Sequence, residues 1–405
     1  MKCRHAVGRG VRGLYRLWLG LSCWVLGGLG LLRGEKPPMW LRGDEDLGPP
    51  GRAVTWSGPA YIGQGFVTQR DLVLATTAWV VVAPAQTLHW AGVVASGPSG
   101  DGLAKLGAGG LALSGGNRYG GDTRLMEGTL VLESDTALGD SRRMLEQWAG
   151  TTLRLAPDLN LPYAVQLCPV PPAPGQGLPA GVPPIARAAQ GADVATWEVP
   201  EGEAVARGGV LGAVPLVKQG AGRLRMRGNS SAFDGEWRVV AGSLAVDGFF
   251  AGHVQVGREA RLEGVGVVGS VTVAAGGWLS PGWDGRGSLA VQGALVMARA
   301  SVLQVTASPD GWSTSLRVEG AATLAGRVQV RAQPGAWMPR TRLRILRAAA
   351  GLEDSYFDGV VVDLPHLRAF LEYESQPDGV QAVVLVLACG DEEPDCALPY
   401  NTPRI

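Results

Sequence analysis

The sequence predicts an all-β solenoid, a coil of short parallel strands stacked rung on rung. Three observations predict it. From Gly242 to Gly293 apolar residues pair two apart: Leu244 with Val246, Val254 with Val256, Val271 with Val273, and Leu289 with Val291. Two-residue alternation places each pair on one face of a strand. Glycines and small polar residues separate the pairs, so the strands are too short and too often interrupted for a sandwich of longer strands. The third observation is composition: 61 glycines in 405 residues, with 18% charged residues, favour turns and strands over long helices. One rung cannot bury its own inward residues, and the rungs above and below complete its core.

Residues 1–34 read as an export signal. Lys2, Arg4, Arg9, Arg12 and Arg16 form a basic leader, and Leu17 to Leu32 is an apolar run, short for a membrane span of ~20 residues. No A-x-A site follows it, so the reading stays open between a cleaved signal peptide and an uncleaved signal-anchor. Residues 35–52 form a polar segment expected to cap the first rung against edge pairing. This segment holds Arg42-Gly43-Asp44, an RGD tripeptide. Its functional reading is an integrin-type docking loop; its bland reading is the chance meeting of three common residues.

Residues 53–168 are expected to be rungs, beginning with Ala53–Trp56, Leu72–Leu74 and Trp79–Val82. Residues 169–190 are proline-rich. Proline cannot donate to a ladder, so this segment should loop out of the coil, either for recognition or as a tolerated insertion. Residues 191–293 resume the rungs. Residues 294–388 are poorer in glycine, and alternate pairs such as Val302/Val305, Leu343/Ile345 and Val383/Leu385 predict paired strands to the end of the core. Residues 389–405 form an acidic tail.

An internal repeat runs through both rung blocks. Lys105-Leu-Gly-Ala-Gly109 opens the first copy (105–132) and Lys218-Gln-Gly-Ala-Gly222 the second (218–246). Leu111 aligns with Leu224, Leu113 with Met226 and Gly115 with Gly228. After one inserted residue Tyr119 aligns with Phe233, Gly128 with Gly242 and Leu130 with Leu244. The order strand, glycine turn, aromatic wedge, strand describes about one rung.

Acidic and basic residues balance at 36 each, which removes any global attraction to nucleic acid or anionic membrane. Of five cysteines, Cys389 and Cys396 bracket a short acidic loop. In an oxidising compartment they can close a disulfide, a pairing that spacing alone leaves open. The four histidines are scattered, against a zinc site, and no cofactor is expected. Gly264-Val-Gly266-Val-Val-Gly269 matches G-x-G-x-x-G, but a strand-like Ser270–Val273 follows where a dinucleotide site needs a helix. Gly139-Asp140-Ser141 is similar to the start of a serine hydrolase motif, with Arg142 in the next glycine's place, and is read as a turn. Asp234, Glu236 and Asp247 come nearest to the acid cluster of a polysaccharide-active solenoid; a solvated face accounts for them equally.

With these motifs in hand, the chain resembles the passenger domains of bacterial autotransporters, the type V secretion family. K-x-G-A-G-x-L-x-L-x-G, an aromatic-glycine step, and E-G-T-L or A-G-S-L resemble the passenger-associated transport repeat. Gly276–Gly282 followed by Gly287–Gly293 resembles the G-G-x-L-x-P-G…G-x-L-x-V-x-G segment near the passenger end, and the region through Leu387 resembles the C-terminal stabilising region. The resemblance covers roughly residues 53–388. It implies a right-handed parallel β-helix, inner-membrane export, and display at or release from the outer membrane. Residues 389–405 hold no strands of a membrane barrel, so a separate outer-membrane β-barrel translocator is the expected partner, with a host-surface or matrix ligand beyond it. The function expected is that of a non-enzymatic surface adhesin. The alternatives are a truncated passenger that stays periplasmic and a β-helical carbohydrate-active enzyme.

Overall fold

The structure is a computed structural model and describes residues 39–97, 100–169, 193–377 and 379–389. The signal region, the bulk of the proline-rich segment and the acidic tail lie outside the described residues.

The described chain is a parallel β-solenoid. One sheet runs from Met39–Leu41 through Ala78–Val82, Leu103–Leu106, Thr123–Leu125 and Met144–Trp148 to Val210–Leu211. A long sheet runs the whole length, from Phe66–Thr68 and Thr87–Trp90 through Gly110–Leu113, Thr129–Leu132, Leu216–Gln219 and Glu236–Val239 to Arg340–Ala348. The third face is a sheet from Asn160–Leu161 through Glu203–Ala206, Arg223–Met226, Ser243–Val246, Arg261–Gly264, Trp278–Pro281, Val302–Ala307 and Arg327–Ala332 to Gly359–Val362. Strands pair with their counterparts one turn later in parallel register, as Leu103 with Thr123 and Leu216 with Trp237.

Alternation sets what fills the coil. The predicted pairs Leu244/Val246, Val254/Val256, Val271/Val273 and Leu289/Val291 are all buried. Aromatic side chains stack along the interior: Phe233 lies 5.0 Å from Phe250, and Trp237 lies 5.2 Å from Phe250 and 5.8 Å from Trp197, between ring centroids. Such contacts add about 0.5–1.5 kcal/mol per pair beyond area burial. A smaller apolar cluster of Trp79, Val81, Ala104, Leu106, Met126 and Trp148 lies on the first sheet apart from the main core.

The first paired strand is Met39–Leu41, in register with Ala60–Ile62, ahead of the start expected at residue 53. Three residues are too few to show alternation in the sequence, but Leu41 is buried in the core. The polar segment then makes a short 3-10 turn, Asp44–Leu47. At the other end the direction changes. Gln381–Cys389 pairs antiparallel with both Arg340–Ala348 and Leu367–Ser375, and salt bridges from Arg340 and Arg342 to Glu372 and from Arg342 and Arg344 to Glu374 lace its outer side.

Candidate functional site

The two repeats build the same corner. Lys105 and Lys218 are fully buried, which a lysine tolerates only when its donors are met. Lys105 Nζ donates to the carbonyl oxygens of Leu106 at 2.9 Å, Gly107 at 2.7 Å and Glu127 at 3.0 Å. Lys218 Nζ donates to those of Gly220 at 2.6 Å, Gly222 at 2.5 Å and Ala241 at 2.9 Å. Each ammonium therefore ties its own glycine turn to the turn one rung later. Burial pulls Lys105 down to about 7, with the Glu127 carboxylate opposing, and Lys218 down to about 8. Gly242 completes the corner at φ +66°, where a Cβ would lie 2.4 Å from the Gly222 oxygen and 2.6 Å from Lys218 Nζ.

The repeats occupy different corners of the coil. Lys105 stands in the first sheet, before the turn into the long sheet, whereas Lys218 stands in the long sheet, before the turn into the third. The repeat thus encodes a corner rather than a face.

The outer face of the third sheet carries an ionic ladder and a groove. Arg223, Arg225 and Arg227 alternate in the sequence, and neighbouring rungs supply their acids. Arg223 pairs with Glu263 at 2.5 Å and Glu203 at 3.3 Å. Arg225 pairs with Asp247 at 2.6 Å and Glu203 at 3.3 Å, and Arg227 reaches Asp247 at 3.7 Å. The segment after Trp278–Pro281 folds back over this face. Trp283 and Arg286 exchange backbone hydrogen bonds of 2.7 and 2.9 Å, and the Trp283 ring lies over the Arg225 guanidinium, 3.2 Å from ring centroid to carbon.

Beside Trp283 opens a groove of about 520 Å³, lined by Arg223, Arg261, Glu263, Ser280, Gln304 and Arg331 among others. Arg261 Nη1 donates to Ser280 Oγ at 2.8 Å and Gln304 Oε1 at 2.6 Å, both neutral acceptors. Burial holds Arg261 below its ordinary value; Glu263 opposes this, and Arg331 and Arg223 add to it. The sequence reading missed this site. Its signal was the R-L-R-M-R alternation together with Trp283, but the acids that answer those arginines lie rungs away in the chain.

Arg42 is exposed and Gly43 buried. The Asp44 carboxylate accepts from Thr68 Oγ1 at 2.6 Å and Arg70 Nε at 3.1 Å, so the tripeptide's acid clasps the first rungs together. Cys389 is disulfide-bonded, Cys396 lies outside the described residues, and Cys168 is free. Glu236 pairs with Arg238 in the long sheet while Asp247 pairs with arginines of the third, so structure does not gather them into one acid cluster. Asp140 is held down at about 2 by its hydrogen bonds from Arg142, and Gly139 turns at φ 74°. A strand, Val267–Val273, follows the G-x-G-x-x-G segment. His89 Nε2 lies 2.9 Å from Ser114 Oγ and 3.1 Å from Glu133 Oε2. Serine and acid meet the same ring nitrogen, whereas a catalytic relay needs them on opposite nitrogens.

Residues 103–132 and 216–246 match the passenger-associated transport repeat. Over 229 residues, 56% of this chain, the sequence is 28% identical to the adhesin BmaC autotransporter of Brucella suis biovar 1 (strain 1330), covering 6% of that protein. Over 115 residues, 28% of this chain, it is 34% identical to an extracellular serine protease of Serratia marcescens, covering 11% of that protein. The chain therefore spans a small part of the length of these relatives. No helix among the described residues is long and apolar enough to cross a membrane. Two matched transport repeats, wound into a parallel solenoid, and the likeness to an autotransporter adhesin make this chain similar to the passenger domains of autotransporters.

Proposed function

We propose that this passenger is exported to the cell surface, by way of an outer-membrane β-barrel, and works there by binding. The similarity to an autotransporter adhesin over more than half of the chain carries this reading. The architecture supports it: rungs bonded along one axis make a stiff stalk that holds side chains and loops at set distances from a membrane. The groove beside Trp283 is the part such a stalk would present. Docking through Arg42-Gly43-Asp44 would require Asp44 to leave Arg70 and Thr68, so an RGD peptide is expected not to compete.

Protease shaving of intact cells, followed by detection with an antibody to residues 220–388, tests the display. Shaveable protein is the expected result. Protein confined to the periplasm overturns surface presentation.

The serine protease relative favours a second, hydrolytic reading. The shared His89 nitrogen and the Arg142-bound Asp140 speak against a charge relay at Ser114 or Ser141. A fluorophosphonate probe is expected to leave the purified protein unlabelled; labelling at either serine would reverse the assignment.

A further inference from the structure

We propose that the groove between Trp283 and the third sheet binds an acidic saccharide, its carboxylate or sulfate group seated between Arg261 and Arg331. This deepens the binding reading given above and rests on it.

The groove holds unspent charge. The arginines of the ladder are answered: Arg223 by Glu263 and Glu203, Arg225 by Asp247 and Glu203. Arg261 is not. Its hydrogen bonds end on a serine hydroxyl and an amide oxygen. Arg331, three strands further along the sheet, forms no ion pair among the described residues and lines the same groove. Two guanidinium groups that line one groove, neither ion-paired with a carboxylate, repel, and an incoming anion relieves that repulsion. Glu263 pairs with Arg223 and forms no ion pair with Arg261, whose lowering it opposes only in part.

The walls specify more than an anion. Around the arginines stand the hydroxyls of Ser243, Ser280 and Thr306 and the amide of Gln304, the donors and acceptors that sugar hydroxyls require. Indole surface borders them at Trp283, and the Trp278 ring lies 4.9 Å from the Arg261 guanidinium carbon. The volume suits a small organic ligand and exceeds what an inorganic oxyanion fills. The covering loop is already pinned, through Gly282 N to Gly264 O at 2.8 Å and the Trp283–Arg286 pair, so little ordering remains to be done on binding.

The test is calorimetric titration of the full-length protein with four probes: a heparin hexasaccharide, a hexagalacturonate, neutral maltohexaose and inorganic sulfate. At least one acidic hexasaccharide is expected to bind, and which one binds separates sulfate from carboxylate recognition. Maltohexaose and inorganic sulfate are expected not to bind comparably. Arg331→Gln, which breaks no ion pair, is expected to weaken binding about tenfold or more, and Arg261→Gln likewise with an unchanged circular dichroism spectrum. No binding, binding unaltered by Arg331→Gln, or equal binding of maltohexaose or sulfate overturns the proposal. Surface shaving is scored separately. Displayed protein that fails this titration loses only the groove assignment, and protein that passes it but stays inside the cell loses only the display reading.

Discussion

Glu127 is bonded twice to the Lys105 turn across one rung. The lysine Nζ donates to the Glu127 carbonyl oxygen at 3.0 Å, and the Glu127 carboxylate accepts from the Gly107 backbone N–H at 2.8 Å. Lys218 makes the first of these bonds to Ala241, where the side chain has no carboxylate to return the second. The repeat's lysine is therefore a strut between successive turns. Parallel strands alone leave such turns without ladder bonds, because the chain is changing direction there.

Removing the strut should cost stability. Lys218→Met keeps the volume and apolar stem but leaves three carbonyl oxygens without their donor. The expected loss is about 1–3 kcal/mol, read as a lower urea midpoint with an unchanged slope. A midpoint equal to that of the natural protein would show that water or neighbouring amides serve those oxygens as well.

The same lysines predict a pH dependence. Folded, they titrate at about 7 and about 8, against 10.5 for the unperturbed side chain. Between the folded and unfolded values the unfolded chain binds more protons, so stability rises with pH from about 7 toward 10.5. Below the folded values both states are protonated and the dependence levels off. The gap in unfolding free energy between the natural protein and the Lys105→Met, Lys218→Met double variant should widen from about pH 6.5 to about pH 9.5. A narrowing gap would mean that the carbonyl cage holds the proton more strongly than burial expels it.

Leu224 is wholly buried, with Ala204 and Leu244 directly beside it in register. Leu224→Ala should cost about 2–5 kcal/mol through lost transfer energy and a cavity. Leu224→Asp should cost more, by burying an unpaired charge. An unchanged melting curve for the aspartate variant is incompatible with this rung.

Gly242→Ala should destabilise the second corner, since its Cβ would press on Gly222 O and Lys218 Nζ at positive φ. Strain of this kind costs about 1–3 kcal/mol. Because the variant disturbs the lysine itself, combining it with Lys218→Met should cost less than the sum of the two, as a double-mutant cycle would measure.

We also propose that Cys389 pairs with Cys396. Peptide mapping without reduction should recover the two in one linked fragment, and Cys168 as a separate thiol. A Cys389–Cys168 fragment would refute the pairing.

Much was legible because a solenoid repeats its physics. Inward alternation and glycine at turns recur from rung to rung, and the aromatic wedge recurs in both repeats, so a local reading of Leu111, Tyr119 and Leu130 sufficed to place them inside. The paired lysines were legible as a repeat, though not as buried struts, since nothing local says that a lysine turns inward. The strand at Met39–Leu41 was missed because three residues carry too little pattern.

The sequence by itself determined the rung, its inward residues and the repeated corner, because those depend on neighbours a few positions apart. Only the tertiary structure decided which corner each repeat occupies. Sequence carries the period of the coil but not its phase, and turns of unequal length shift that phase by a whole face between Lys105 and Lys218. The groove was decided the same way. Arg223, Arg261, Gln304 and Arg331 come together because stacking brings residues rungs apart to within hydrogen-bonding reach, a distance that no reading along the chain contains.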